Sequence, residues 1–286
     1  MARFYSKDDL KPRIAAGYGQ GQGASYRPWL GITDVPSQGT ATRVTRRHTG
    51  RIHVFFSSIE LGAFLASEWL DRVIDVREQF PLIDMDEVEA IAAEIGVRLP
   101  TFGKSGAAIV PTTDFLLTVR DPVRGQCLEV IAVKPQKKLL SSRVLELLEI
   151  ERLYFVRKGV PWSLVTEAEL PKPLIDNLLW VSRYYHPEAL EVNTAEIERT
   201  ERIVFDFVAS NPATGLALGH ACAEVDDRLG LRAGLALSVV RHAVARKWWL
   251  ANLQVRIDAL APPPAFTRND LRITRDLRSY VSGDVS

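Results

Sequence analysis

Near the middle of this 286-residue chain, two strand-like apolar runs stand almost back to back. They are Thr113-Asp-Phe-Leu-Leu-Thr-Val-Arg and Gln126-Cys-Leu-Glu-Val-Ile-Ala-Val-Lys, joined by Asp121-Pro-Val-Arg-Gly, whose Pro and Gly favour a tight turn. So short a connection admits only antiparallel neighbours, because a parallel crossover needs a dozen or more residues. The hairpin fixes the centre of a sheet, and the flanking segments must supply its layers. Upstream, Ser57 or Ser58 can cap a helix with Glu60 in its first turn, and Ile59, Ala63, Phe64 and the Trp69–Leu70 pair recur at helical spacing. Val73-Ile-Asp-Val-Arg reads as a strand followed by Glu78-Gln-Phe-Pro, and residues 84–95 as an acidic helix closed by Gly96. Downstream, 141–157 is a helix whose Val144, Leu147, Leu148, Leu153 and Tyr154 face inward, and Val160 to Thr166 is another strand. This order predicts an α/β domain, a mixed sheet flanked by helices with a hairpin at its centre.

Pro171 and Pro173 mark a boundary, beyond which helical patterns dominate. A connecting helix covers Leu174 to Tyr184, and Asn193-Thr-Ala-Glu196 resembles a capping box. Three helices then carry Ile197, Val204, Phe207 and Val208; Leu218, Cys222 and Val225; and, after Gly230, Leu237, Val240 and Val244. Trp248 to Val255 reads as strand. Three short helices followed by strand signal a helix-turn-helix or winged-helix domain. The predicted segments are a basic arm over 1–52 that belongs with the sheet domain after it, that sheet domain over 53–169, a helical domain over 170–261, and a Pro-rich linker with a polar tail over 262–286.

The formal net charge of +1 does not mark a bulk polyanion binder, but the charge is unevenly placed. Residues 1–52 hold nine Lys or Arg against three Asp or Glu, which suits local contact with phosphates. Gly17, Gly19, Gly21 and Gly23 alternate without the Lys-Ser/Thr ending of a phosphate loop, so they read as a flexible arm that approaches something closely, with Tyr26, Pro28, Trp29 and Leu30 anchoring it to the body. Cys127 and Cys222 are too far apart in sequence to suggest a disulfide framework or metal pair, and His220 beside Cys222 reads as helix packing rather than zinc ligation. No apolar leader and no membrane-length apolar stretch occurs, which predicts a cytoplasmic protein without a membrane partner.

Three polar residues interrupt the apolar runs. Glu60 sits in a helix first turn, Asp114 opens one hairpin strand and Lys134 closes the other. Strand alternation lets Asp114 and Lys134 meet at one end of the hairpin, and Glu60 can reach that end from its helix. Two carboxylates and a lysine so arranged form the pattern of nucleases that hydrolyse phosphodiesters with a divalent metal. Lys137 and Lys138 follow at once as candidates for the phosphate backbone, Arg43, Arg46 and Arg47 as candidates for flanking DNA, and Glu78 and Gln79 as accessory residues.

Longer stretches carry a resemblance. Gly-Gln-Gly-Gln-Gly-Ala-Ser-Tyr-Arg-Pro-Trp-Leu at 19–30, Val-Pro-Ser-Gln-Gly at 35–39, Thr-Gly-Arg at 49–51 and Ser-Ser-Ile-Glu-Leu-Gly-Ala-Phe-Leu-Ala-Ser-Glu-Trp at 57–69 are followed by Val-Arg-Glu-Gln-Phe-Pro-Leu at 76–82, Thr-Asp-Phe-Leu at 113–116 and Val-Lys-Pro at 133–135. Leu-Glu-Ile-Glu-Arg-Leu-Tyr at 148–154 and Pro-Trp at 161–162 continue the run. In this order, over most of residues 17–182, the sequence resembles the TnsA family, the endonuclease subunits of heteromeric cut-and-paste transposases. The C-terminal part is similar in element pattern more than in residues. The resemblance implies a restriction-endonuclease-like fold for the first domain, with Glu60, Asp114 and Lys134 at the catalytic positions. It implies Mg²⁺, with Mn²⁺ able to substitute, and cleavage of the 5′ ends of transposon-end DNA. A TnsB-type transposase would cut and join the 3′ ends, and a TnsC-type ATPase would be engaged by a C-terminal winged helix.

The family commonly places Gln two residues before the lysine, and related nucleases place Asp or Glu there; here that position is Ala132. Metal is then expected on Glu60, Asp114, the Val133 carbonyl and waters, while Glu146 or Glu149 from the following helix is the alternative supplement. The competing readings are a stand-alone restriction or repair nuclease of the same fold, a scaffold with a decayed site bridging transposase and ATPase, and a base-reading helical domain using Arg232, Arg241, Arg246 and Lys247.

Overall fold

The computed structural model describes residues 5–32, 34, 42–45, 50–102, 106–210 and 215–269. The chain divides into two compact units, residues 1–170 and 171–286.

In the first unit, α1 (Leu10–Ala15) precedes a hairpin of β1 (Thr42–Thr45) and β2 (Ile52–Phe55). Then come α2 (Ser58–Trp69), β3 (Val73–Pro81), α3 (Met85–Glu94), the short pair β4 (Thr101–Phe102) and β5 (Ala107–Ala108), β6 (Thr112–Asp121), β7 (Gly125–Val133), α4 (Ser142–Arg157) and β8 (Trp162–Val165). The main sheet runs in the order β3-β6-β7-β8. The first two pairings are antiparallel and β7/β8 is parallel, since α4 provides the crossover.

The expected mixed sheet flanked by helices is therefore present, and it fits a restriction-endonuclease-like fold. On one face Leu116 and Val130 join the core built with Val88 and Ile91 of α3 and Ile150, Tyr154 and Phe155 of α4. On the other, Phe115 meets Phe55 of β2, which packs 4.7 Å, centroid to centroid, from Phe64 of α2. Both faces of β6 are buried, which is why its sequence reads as an almost continuous apolar run. Asp114 takes the same face as Leu116 by strand alternation, on the α4 side of the sheet.

The glycine-rich segment packs on β3 rather than standing free. Trp29 is fully buried and its backbone N–H donates to the Gln79 carbonyl. Gly19 has a φ of +68°, and a Cβ there would lie 2.4 Å from the Pro81 ring, so this glycine supplies both a left-handed turn and a close approach. Arg13, stacked on Tyr5 and Tyr18, donates to the Trp29 carbonyl and closes the N-terminal side.

The second unit holds α5 (Lys172–Ser182), α6 (Thr194–Ser210), α7 (Leu218–Leu229) and α8 (Leu235–Ala245), followed by a two-residue pairing of β9 (Trp249–Leu250) with β10 (Thr267–Arg268). Leu190, Ile197, Leu235 and Val239 form a core within it. Asp226 accepts from the backbone N–H groups of Gly234 and Ala236, tying the end of α7 to the start of α8. The strand expected from Trp248 to Val255 is confined to Trp249–Leu250. Beyond Leu250 the chain forms a turn segment held by Asn177, whose side-chain amide donates to the carbonyls of Leu253 and Val255 and accepts from the Ile257 N–H. The expected inward placement of Leu70 also fails: it ends α2 and is exposed. No helix among the described residues is long and apolar enough to cross a membrane.

Candidate active site

The end of the hairpin opposite its turn opens into a cavity of about 510 Å³. Glu60, Asp114, Val133 and Lys134 line it together, although they come from three separate elements and the segment beyond β7. Lys134 Nζ donates to Asp114 Oδ2 at 2.7 Å and to the Val133 carbonyl at 2.9 Å, and the Val133 N–H donates to the same Asp114 oxygen at 2.7 Å. The Asp114 side chain is 14% exposed and that of Lys134 32%, so the pair is sheltered yet open to a ligand.

Glu60 is positioned by the start of α2. Ser57 caps the helix by accepting from the Glu60 N–H and donates its hydroxyl to Glu60 Oε1 at 2.7 Å; the Phe56 N–H donates to Oε2 at 3.0 Å. This is a capping-box arrangement displaced by one residue, because the glutamate reaches the N–H before the cap rather than that of the cap itself. It leaves the carboxylate held rigidly at the cavity wall, with lone pairs remaining on both oxygens.

A third carboxylate, absent from the sequence-based candidates, lines the cavity. Glu151 projects from α4 and is buried, and its Oε1 accepts from the Trp162 Nε1–H at 3.0 Å. The expected supplements from that helix lie elsewhere. Glu149 is bound bidentately by Arg152 at 2.7 Å and Glu146 by Arg143 at 2.9 Å, both half-buried and outside the cavity lining. The correction is one of helical phase. Glu151 lies three or four residues from Leu147, Leu148, Tyr154 and Phe155, on the inward stripe, whereas Glu149 is turned away from it. A carboxylate on an apolar stripe was the available signal. Ala132 is fully buried and offers no ligand, so the third carboxylate at this cavity comes from α4 rather than from β7.

The charges are strongly coupled. Burial pushes the Glu60 carboxyl above its usual range, Asp114 pushes it further, and the hydrogen bonds from Phe56 and Ser57 pull against them. Burial and then Asp114 push Glu151 up to about 7. Burial works against the Lys134 charge, but Asp114, with Glu151 and Glu60 adding, outweighs it and the lysine is held above its usual value. Three carboxyl groups share the cavity with two lining cations, Lys134 and Lys138, and a divalent cation among them would favour the ionised form of each carboxyl.

The donor set suits Mg²⁺, which prefers hard oxygens and binds through one or two carboxylates plus phosphate and water. Among the described residues no group of three or more His, Cys, Asp or Glu stands close enough to hold an ion by itself, so external oxygens have to complete any shell.

The remaining candidates separate. Glu78 does not line the cavity: it is buried against Arg51, at 2.7 Å to each carboxylate oxygen, and His53 Nδ1 at 2.8 Å, and these partners hold it below the usual range despite its burial. Gln79 is buried on β3 with a φ of +50°, and its side chain lies only 3.5 Å from the hydroxyl of Thr112, which does line the cavity. Lys138 is at the cavity and Lys137 is exposed beside it, whereas Arg43 is exposed on β1; Arg46 and Arg47 lie outside the described residues.

The comparisons with known proteins agree with one another. Residues 70–167 match the family described as TnsA-like endonuclease N terminal, a span that includes Asp114, Lys134 and Glu151 but begins after Glu60. Residues 169–253 match TnsA endonuclease C terminal. The transposition protein TnsA of transposon Tn7 from Escherichia coli is 34% identical over 241 residues, covering 84% of each chain. With two consecutive domain matches and a relative aligned along most of its length, the chain belongs to the TnsA family of transposition endonucleases.

Proposed function

We propose that the chain is the subunit that cuts the 5′ ends of a transposon by Mg²⁺-dependent phosphodiester hydrolysis, with Glu60, Asp114 and Lys134 at the reacting phosphate. The observation that carries this reading is the convergence of those residues and Glu151 on one cavity, with Lys134 bonded to Asp114 at 2.7 Å. Asp114 and Glu60 would hold the cation, with the Val133 carbonyl beside them. When bound, Mg²⁺ supplies Lewis-acid chemistry, acidifying water and neutralising the charge that builds on the phosphoryl oxygens.

The chain's own residues do the rest. Ser57 and the Phe56 N–H fix the Glu60 carboxylate in place, so little ordering is needed when substrate arrives. Lys134 stays protonated and can move from Asp114 to a phosphoryl oxygen, where a buried ammonium is worth more than in water. Glu151, held near neutral pH by burial and Asp114, can keep or release a proton at the cavity. Lys137 and Lys138 would contact the neighbouring phosphates.

The second unit supports a docking role. Three helices followed by the β9/β10 pair are the ingredients of a winged helix, which we read as the surface for a TnsC-type ATPase, while a TnsB-type transposase processes the 3′ ends. The buried Ala132 favours a second reading, a weakened nuclease retained as a scaffold, and Glu151 argues against it.

The test is strand-specific cleavage of transposon-end DNA by the full chain with its partner proteins. Asp114→Ala should abolish 5′-strand cutting while 3′ joining persists, shifting products from simple insertions to cointegrates. Unchanged simple insertions would remove the assignment.

A further inference from the structure

The cavity is much larger than its charged end. Beyond Asp114 and Lys134 its walls are aliphatic, formed by Leu99, Pro100 and Ile109 on one side and Val144, Leu147 and Leu148 of α4 on the other. Val144, Leu147, Leu99 and Pro100 are only half-buried although they are apolar, and among the described residues no aromatic ring lines the space. A cavity of about 510 Å³ with apolar walls and a few polar groups at one end has the character of a small-molecule site rather than of a slot for backbone phosphates. Phosphate recognition alone would need none of these side chains.

Resting on the endonuclease reading above, we propose that the apolar part of this cavity receives the base of a nucleotide adjoining the scissile phosphate, turned out of the duplex stack. The phosphate at Lys134 fixes where that nucleotide must lie, because its sugar and base are covalently attached within a few ångströms of the cation site. Lys138 at the cavity and Lys137 beside it are complementary to the phosphates on either side of an extruded nucleotide. The Thr112 hydroxyl lies within the lining and can meet a polar base edge. With aliphatic and proline walls the grip is by shape and dispersion rather than ring stacking. The pocket therefore accepts any base of suitable size, with extra contact for a thymine methyl. Enzymes that extrude a base hold it in a pocket shaped to receive it, and a mispaired or absent base lowers the barrier to extrusion.

The experiment uses the full chain with its partner transposition proteins and transposon-end duplexes carrying either a normal nucleotide or an abasic one beside the scissile phosphate. Leu147→Trp fills the pocket from α4, and Leu99→Trp fills it from the opposite wall. Each should slow 5′-strand cutting of normal duplex on the order of a hundredfold, as expected for a displaced reacting group. The abasic duplex should restore both variants to near wild-type rates, a rescue that a misfolded variant cannot show. In Ca²⁺, 2-aminopurine at the same nucleotide should brighten with wild type and stay dim with either variant. Wild-type cutting of normal duplex by both variants would overturn the proposal, as would equal loss on abasic duplex or loss of assembly with the partner proteins. The last outcome would assign the pocket to a protein side chain instead. Asp114→Ala cutting normally would instead sink the endonuclease reading, whatever the tryptophan variants do.

Discussion

At the residue scale, Glu151 is a cavity carboxyl whose ionisation the fold resists. Its folded value of about 7 lies above the ordinary carboxylate range, so the protonated form is the one the cavity stabilises. Stability from a raised carboxyl is fully present below its unfolded value and is lost as pH rises through about 7. Glu151→Gln cannot ionise and should escape that loss. In metal-free buffer its advantage over wild type should be small at pH 5 and grow toward pH 8. It should reach up to about 3 kcal/mol, because each tenfold change in the ionisation constant is worth roughly 1.4 kcal/mol. Urea unfolding at the two pH values checks this, and a difference that does not change with pH would mean that Glu151 ionises freely. The same residue marks a limit of what the sequence makes legible. Glu60, Asp114 and Lys134 were legible because each interrupts an apolar run at an element's end. Glu151 sits inside a charged stretch, Glu-Ile-Glu-Arg, in which only the helical phase separates a cavity carboxylate from Glu149, which pairs with Arg152 outside the cavity.

At the element scale, the start of α2 ties stability to chemistry. Ser57→Ala removes the cap acceptor and the donor to Glu60 Oε1 in one change. The helix should lose about 1 kcal/mol, read as a lower urea midpoint at unchanged slope. The Glu60 carboxyl, already raised by burial and Asp114, loses one of the hydrogen bonds that oppose the rise. The acid limb of the 5′-cutting pH profile should then move to higher pH, and a profile that stays in place would show that Glu60 need not ionise for cutting. Gly19→Ala tests a different element. Its φ of +68° and the 2.4 Å approach of a Cβ to Pro81 should destabilise the unit by more than about 1 kcal/mol in the same unfolding assay. Elements differed in legibility for physical reasons. The β6/β7 hairpin announced itself through two apolar runs and the short Pro- and Gly-containing turn between them. Strands β1 and β2 are four residues each, and their polar, basic surroundings hide them. The run Trp248 to Val255 has strand composition, but Asn177 satisfies its backbone from α5 and makes a ladder unnecessary.

At the scale of the whole molecule, the division at Leu170 separates a unit that carries the carboxylate cavity from a second unit built mainly of helices. A cation that binds only the folded first unit stabilises that unit by mass action, about 2.7 kcal/mol at a hundredfold excess over Kd, and leaves the second unit's own opening unaffected. Hydrogen exchange on the full chain reads both units at once. Mg²⁺ should slow exchange of backbone amides around Asp114 and Val133 and in the first turn of α2, while amides of α6, α7 and α8 keep their metal-free rates. Asp114→Ala should erase the Mg²⁺ effect in the first unit without altering the second. Because the readout is protection rather than cutting, it stands whether or not partner proteins are needed for activity. Mg²⁺-dependent protection spread evenly over both units would point to general screening of charge, and none in either unit would leave the carboxylates without a cation to hold.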